Sequence, residues 1–189
     1  MSTITMEAAR WTDGDLPANV SAGHGTVITS KHAFLRFRSR SQPALRIGRN
    51  CMMDGVHFAL GNDAVLQIGD HCYFTNAVLL CERQISIGNY VTIGWNATIA
   101  DSDFHPIAPA ERIADAIACS PVAKGLPRPK VLMEPVIVDD YVWIGPNATI
   151  LKGVRLGAGC LIEPGALVTR DIPARARVLG NPARIIGEV

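Results

Sequence analysis

The stretch VDDYVWIGPNATILKGVRLGAGCLIEPGALV, residues 138–168, repeats every six residues. Steps of six from Val138 meet Ile144, Ile150, Leu156, Ile162 and Val168, all branched aliphatics. Four residues beyond each of the first five stand Val142, Ala148, Val154, Cys160 and Ala166, all small or β-branched. Gly145, Pro146, Asn147, Gly153, Gly157, Gly159, Pro164 and Gly165 fill the intervals with turn formers. An amphipathic strand repeats every two residues and a helix near 3.6. A strict period of six, with Gly and Asn at fixed offsets, requires short strand, turn, short strand, turn. Three such units close a triangular coil, and stacked coils bury an apolar column that no single coil could bury alone. The predicted fold is all-β: a parallel β-helix.

The frame returns upstream. Ile87, Ile93 and Ile99 are six apart, with Val91 and Ala97 as small partners; Ile68, Phe74 and Leu80 follow suit with Cys72 and Val78; Ile47 and Met53 begin another row with Cys51. The register slips by one residue between Leu80 and Ile87, and no clear frame joins Met53 to Ile68. Cys51, Cys72 and Cys160 fall on small inward positions and are expected to be packing residues. Residues 1–44 read as an N-terminal cap or partial coil, and residues 45–187 as the β-helix domain. Within the cap, Arg36, Arg38 and Arg40 alternate with Phe37 and Ser39. That pattern fits a solvated basic strand, with contact to a phosphate or sugar nucleotide as the alternative.

The 189 residues are 48% hydrophobic, enough for one sizeable domain. A formal net charge of +1 gives no electrostatic case for nucleic acid or anionic membrane. No apolar run approaches the roughly 20 residues of a membrane span. Met1–Arg10 carries no signal-type apolar segment. The five cysteines are odd in number and form no CxxC pair, so reduced thiols and a cytoplasmic location are expected.

The repeat breaks after Ile99 and resumes at Val138, 39 residues later, which is not a multiple of six. A loop of about 101–135 therefore leaves the coil, with a short helix expected around Ala110–Ala118. Long loops on rigid scaffolds are where function concentrates. Here the loop carries DSDFHP at 101–106. His105 is the candidate base, since imidazole titrates near neutrality and accepts a proton from a hydroxyl or amine. Asp101 or Asp103 would orient it. A plain loop histidine before proline is the competing reading.

The segments IGNYVTIGWNATIADSDFHP at 87–106, VWIGPNATILKGVRLGAG at 142–159 (reading from Val142) and GALVTRDIPARARVLGNPARII at 165–186 resemble the hexapeptide-repeat acyltransferases. The similarity is to their maltose/galactoside/colanic-acid O-acetyltransferase branch and covers roughly residues 45–187. The resemblance implies a left-handed β-helix, a handedness the residues do not themselves dictate and one that runs against the usual crossover rule. It also implies a homotrimer with clefts between subunits, and acetyl-CoA as donor. Matched residue by residue, it makes His105 the general base and places Asn96 on the acceptor side. Trp143 would line the cleft. Pro146, Pro164, Thr169, Arg170 and Arg184 would contact CoA, the arginines through its phosphates. Each could instead be turn-forming, packing or surface residues. The N-terminal segment and the long loop after His105 depart from the branch, so the acceptor stays open.

The expected function is acetyl-CoA-dependent O-acetylation of a sugar, in surface polysaccharide or lipopolysaccharide biosynthesis, with no metal required. Alternatives are N-acetylation of an amino sugar, acetylation of an antibiotic, a γ-carbonic-anhydrase-type zinc enzyme and a non-enzymatic scaffold. The zinc enzyme needs three converging histidines, and no histidine pair follows His105.

Overall fold

A computed structural model describes residues 8–123 and 125–189; Met1–Glu7, most of the stretch read for a signal segment, and Lys124 in the loop lie outside them. The chain forms three parallel sheets wound into a left-handed β-helix of about eight turns. The first face stacks Val20–Ala22, Leu45–Ile47, Val65–Ile68, Gln84–Ile87, Val136–Val138 and Arg155–Leu156. The second carries Tyr73–Thr75, Thr92–Ile93, Trp143–Ile144 and Leu161–Ile162 among its strands, and the third His57–Leu60, Val78–Cys81, Thr98–Ala100, Thr149–Ile150 and Leu167–Val168. The chain visits the faces in that order, so each coil has three corners.

The inward columns follow the six-residue rows. Ile68, Ile87, Val138 and Leu156 align on the first face, and Phe74, Ile93, Ile144 and Ile162 on the second. All eight are buried. Each such side chain contributes about 1.5–3 kcal/mol on leaving water. Cys51, Cys72 and Cys160 are buried in these columns.

The third face corrects one row. Its inward residues are Leu79, Ile99, Ile150 and Val168, while Leu80 and Val78 point outward. The cause lies at the corners. Asn76 alone takes the left-handed conformation (φ 47°) where the next coils use the pairs Trp95-Asn96 and Pro146-Asn147. That corner is one residue short. The following corner is longer, with Cys81 also inward and buried before Ile85 resumes the row. The buried Asp101 carboxylate holds this longer corner, accepting the N–H groups of Glu82, Arg83 and Gln84 at 2.7, 2.8 and 2.7 Å.

At the N-terminal end, Val20–Ala22 and Val27–Ile28 pair in parallel with the next coil, and Arg38 and Arg40 donate backbone N–H groups to Leu60 and Asn62. Trp11, Phe34 and Phe37 pack edge to face over this end. At the other end, Arg184–Glu188 folds back antiparallel on Ala176–Leu179. Among the described residues, no helix is long and apolar enough to cross a membrane.

Candidate active site

The insert leaves the third face after Ala100 and rejoins the first at Val136. Its root is zipped shut: Ser102 bridges Met133, Asp103 N–H donates to Leu132, and Glu134 N–H donates to the Asp101 carbonyl. Gly153 of the next coil then donates to the Glu134 carbonyl at 3.1 Å. Its positive φ of 75° calls for glycine.

Between these ends runs α1, Pro109–Ala118. Proline in the first turn, Glu111 beside it and an alanine-rich interior favour helix. Its burial is inverted. Ile113 and Ile117 are 64% and 53% exposed, and Asp115 is fully buried.

His105 sits on a tight turn. Its N–H donates to the Asp103 carbonyl at 2.7 Å across Phe104, whose φ is 59°. A non-glycine residue in this region costs on the order of 1 kcal/mol, offset here by neighbouring contacts. Lys152 Nζ meets Asp103 Oδ1 at 2.6 Å from the coil above. The imidazole Nδ1 lies 2.6 Å from Asp115 Oδ2. Arg128 grips the same carboxylate from the far limb of the insert, Nε to Oδ1 at 2.6 Å and Nη2 to Oδ2 at 3.1 Å, and its Nη2 also donates to the Phe104 carbonyl at 2.7 Å.

The electrostatics follow from these contacts. Arg128 first, and His105 second, hold the Asp115 carboxyl well below its ordinary range, at about 2. Asp115 is therefore ionised at neutral pH and accepts a hydrogen bond from Nδ1–H. The Nε2 lone pair then faces outward on a side chain that is 64% exposed. Neither expected carboxylate takes this role. Asp101 is spent on the corner below, and Asp103 pairs with Lys152 while its Oδ2 is buried without a partner. Asp115 and Arg128 were missed because ten and 23 residues separate them from His105 in the chain. The available signal was an acidic residue midway along an Ala/Ile helix.

The other expected site residues fall into separate places. Trp143, 39% exposed, points outward from the second face, opposite the corner from which the insert springs. Asn96 and Pro146 lie in the second-to-third corner with Pro164 above; Asn147 N–H donates to Trp95, and Gly165 N–H to Pro146, at 2.8 and 2.9 Å. Asn96 and Asn147 both adopt left-handed φ, 58° each, as turn residues do. Thr169 and Arg170 are exposed at the insert's corner, one rung above Lys152. Arg184 opens the C-terminal edge strand, its Nη1 bonded to the Ala183 carbonyl at 3.0 Å. One chain thus brings His105, Asp103 and Lys152 together but does not gather Trp143 or the CoA-contacting candidates around them. A surface groove of about 520 Å³ lies instead on the first face beside Ile137 and Tyr141. Among the described residues, no group of three or more His, Cys, Asp or Glu is placed to hold a metal ion.

Residues 135–170 match the family of bacterial transferase hexapeptides (six repeats). A galactoside O-acetyltransferase of Lactococcus lactis subsp. lactis is 30% identical over 140 residues, 74% of this chain and 60% of that protein. A 2,3,4,5-tetrahydropyridine-2,6-dicarboxylate N-acetyltransferase of Staphylococcus aureus is 56% identical over 52 residues, 28% of this chain and 22% of that protein. A crystal structure of a hexapeptide-repeat acetyltransferase from Vibrio cholerae, complexed with acetyl-coenzyme A, superposes with a TM-score of 0.55. It is 30% identical, and the match covers 65% of this chain and 60% of that one. The chain therefore spans less than two thirds of these relatives.

Proposed function

The chain belongs to the hexapeptide-repeat transferase family, and on that premise we propose that it moves an acetyl group from acetyl-CoA to a sugar hydroxyl, with His105 as general base. The observation that carries this reading is the 2.6 Å contact of His105 Nδ1 with Asp115. It fixes the tautomer whose free Nε2 can take a proton. As the acceptor oxygen attacks the thioester carbonyl, its proton passes to Nε2. The tetrahedral intermediate collapses, the C–S bond breaks, and the imidazolium returns the proton to the CoA thiolate. The ion pair with Asp115 stabilises the transient imidazolium. Arg170 and Arg184, both exposed, suit the phosphates of CoA.

The acceptor class rests on the galactoside O-acetyltransferase likeness, which extends over 74% of the chain. A role in surface polysaccharide or lipopolysaccharide biosynthesis accords with such an acceptor. The N-acetyltransferase likeness covers only 52 residues, 28% of the chain, and favours an amine acceptor less.

The working unit is a homotrimer in this reading. The outward side of the second face offers Met52, Tyr73, Trp143 and Leu161 beside Thr92, and that of the third offers Val78, Leu80, Leu151 and Leu167 beside Thr98 and Thr149; the first presents Arg46, Gln67, Ser86 and Arg155 around Ile137. Two apolar faces meeting at one edge suit packing around a threefold axis, the second face of one copy against the third of another. That packing would bring His105 of one subunit and Trp143 of another to a shared cleft. Release of free CoA thiol from acetyl-CoA, assayed against simple galactosides and their amino-sugar counterparts, tests the reading. Thiol release with amines only would replace O-transfer by N-transfer.

A further inference from the structure

Arg128 has no part in the chemistry just described, yet it bonds to both the Asp115 carboxylate and the backbone of the His105 turn. Its guanidinium spends Nε and Nη2 on both Asp115 oxygens and shares Nη2 with the Phe104 carbonyl. We propose that Arg128 is a positioning residue that locks the turn presenting His105 and sets the charge the imidazole experiences. The proposal rests on His105 being the base.

Three features carry it. First, Asp115 is fully buried and is shared by Arg128 and His105, so without Arg128 the imidazole proton must compensate its charge instead. Second, the Phe104 carbonyl belongs to the residue immediately before His105, in the left-handed turn. A donor fixed on that carbonyl opposes the turn's relaxation. Third, the contact joins the two limbs of the insert, so α1 and the His105 turn are held as one unit. A lysine could supply the charge but not the planar fork and the additional donor.

The charged groups around the imidazole are few. Asp115 touches it, Arg128 stands behind Asp115, and the Cys119 thiol lies 4.0 Å from the same carboxylate. Asp103 on its own turn is held by Lys152, and Glu82 of the coil below lies within electrostatic range of Arg128. Removing a cation from this group should retain the proton on His105 to higher pH. Removing the anion should release it at lower pH.

The test is the pH dependence of turnover for Arg128→Gln, Arg128→Lys and Asp115→Asn, with thermal melts alongside. Arg128→Gln is expected to shift the acid limb up by about one pH unit, and Asp115→Asn to shift it down by a similar amount. Arg128→Lys should leave the limb in place but lower kcat about tenfold through lost positioning, with KM for acetyl-CoA unchanged. ¹⁵N spectra of the imidazole should show the Nδ1–H tautomer in wild type and Arg128→Lys, and a mixture in Asp115→Asn. If Arg128→Gln melts lower but keeps the wild-type limb and kcat, Arg128 is merely structural and the proposal fails. If His105→Ala retains turnover, the base assignment fails instead; wild-type limbs in both charge variants, with His105→Ala inactive, reject only the role of Arg128.

Discussion

In the coils, the rows are closed by apolar contact: Ile144 sits beneath Ile162 and above Ile93, each fully buried. In the insert, the only buried residue of α1 is a carboxylate, while Ile113 and Ile117 of the same helix face outward. The coils gain stability from repeated nearest-neighbour burial. The insert is held by a few directed polar contacts, at Asp115, Arg128, Asp103 and Lys152. Stability and chemistry are therefore divided between two regions. One sums many equivalent contacts; the other depends on each.

The sharpest way to break this comparison is to remove the insert. Replacing residues 102–135 with one glycine gives Ile99-Ala100-Asp101-Gly-Val136, matching the spacing of Ile150-Leu151-Lys152-Gly153-Val154. Circular dichroism should retain the β signal and a cooperative melt, and turnover should vanish. Loss of the fold would mean that the insert is part of the column. The reverse experiment is Ile144→Ala, which should cost about 2–5 kcal/mol in urea unfolding. Turnover per folded molecule should stay within about twofold, because coil packing is distributed.

Asp101 sits at the boundary of the two regions. Asp101→Ala strands three N–H groups at the corner below, and should cost about 1–3 kcal/mol. Its effect on turnover should be smaller than that of Asp115→Asn, since it does not touch the imidazole. The mildest test is acid. Asp115 is held at about 2, below the roughly 3.9 of an unfolded aspartate. A depressed carboxyl contributes stability that is complete above about pH 4 and is lost as pH falls toward 2. Limited proteolysis with an acid-active protease should nick the insert increasingly over that interval while the coil signal persists.

The same division explains what could be read from the chain. Inward positions of the regular coils are coded by local spacing, so the rows from Val138 to Val168 match the columns residue for residue. Where corners change length the spacing misleads: Leu80 fits a six-residue step, but the short corner at Asn76 turns Leu79 inward instead. In the insert, His105 and the helix were legible as local features. Its partners were not, because nearness in sequence favoured Asp101 and Asp103. The zipped root instead commits both of these to the coils and delivers Asp115 to the imidazole from α1.

The central claim is that the exposed imidazole of His105 takes the acceptor's proton. It is tested most directly by CoA thiol release from acetyl-CoA with a galactoside acceptor, wild type against His105→Ala. Loss of a general base predicts a fall of about 10²–10⁴-fold in kcat with an unchanged melting temperature. Full turnover by a folded His105→Ala variant would contradict it.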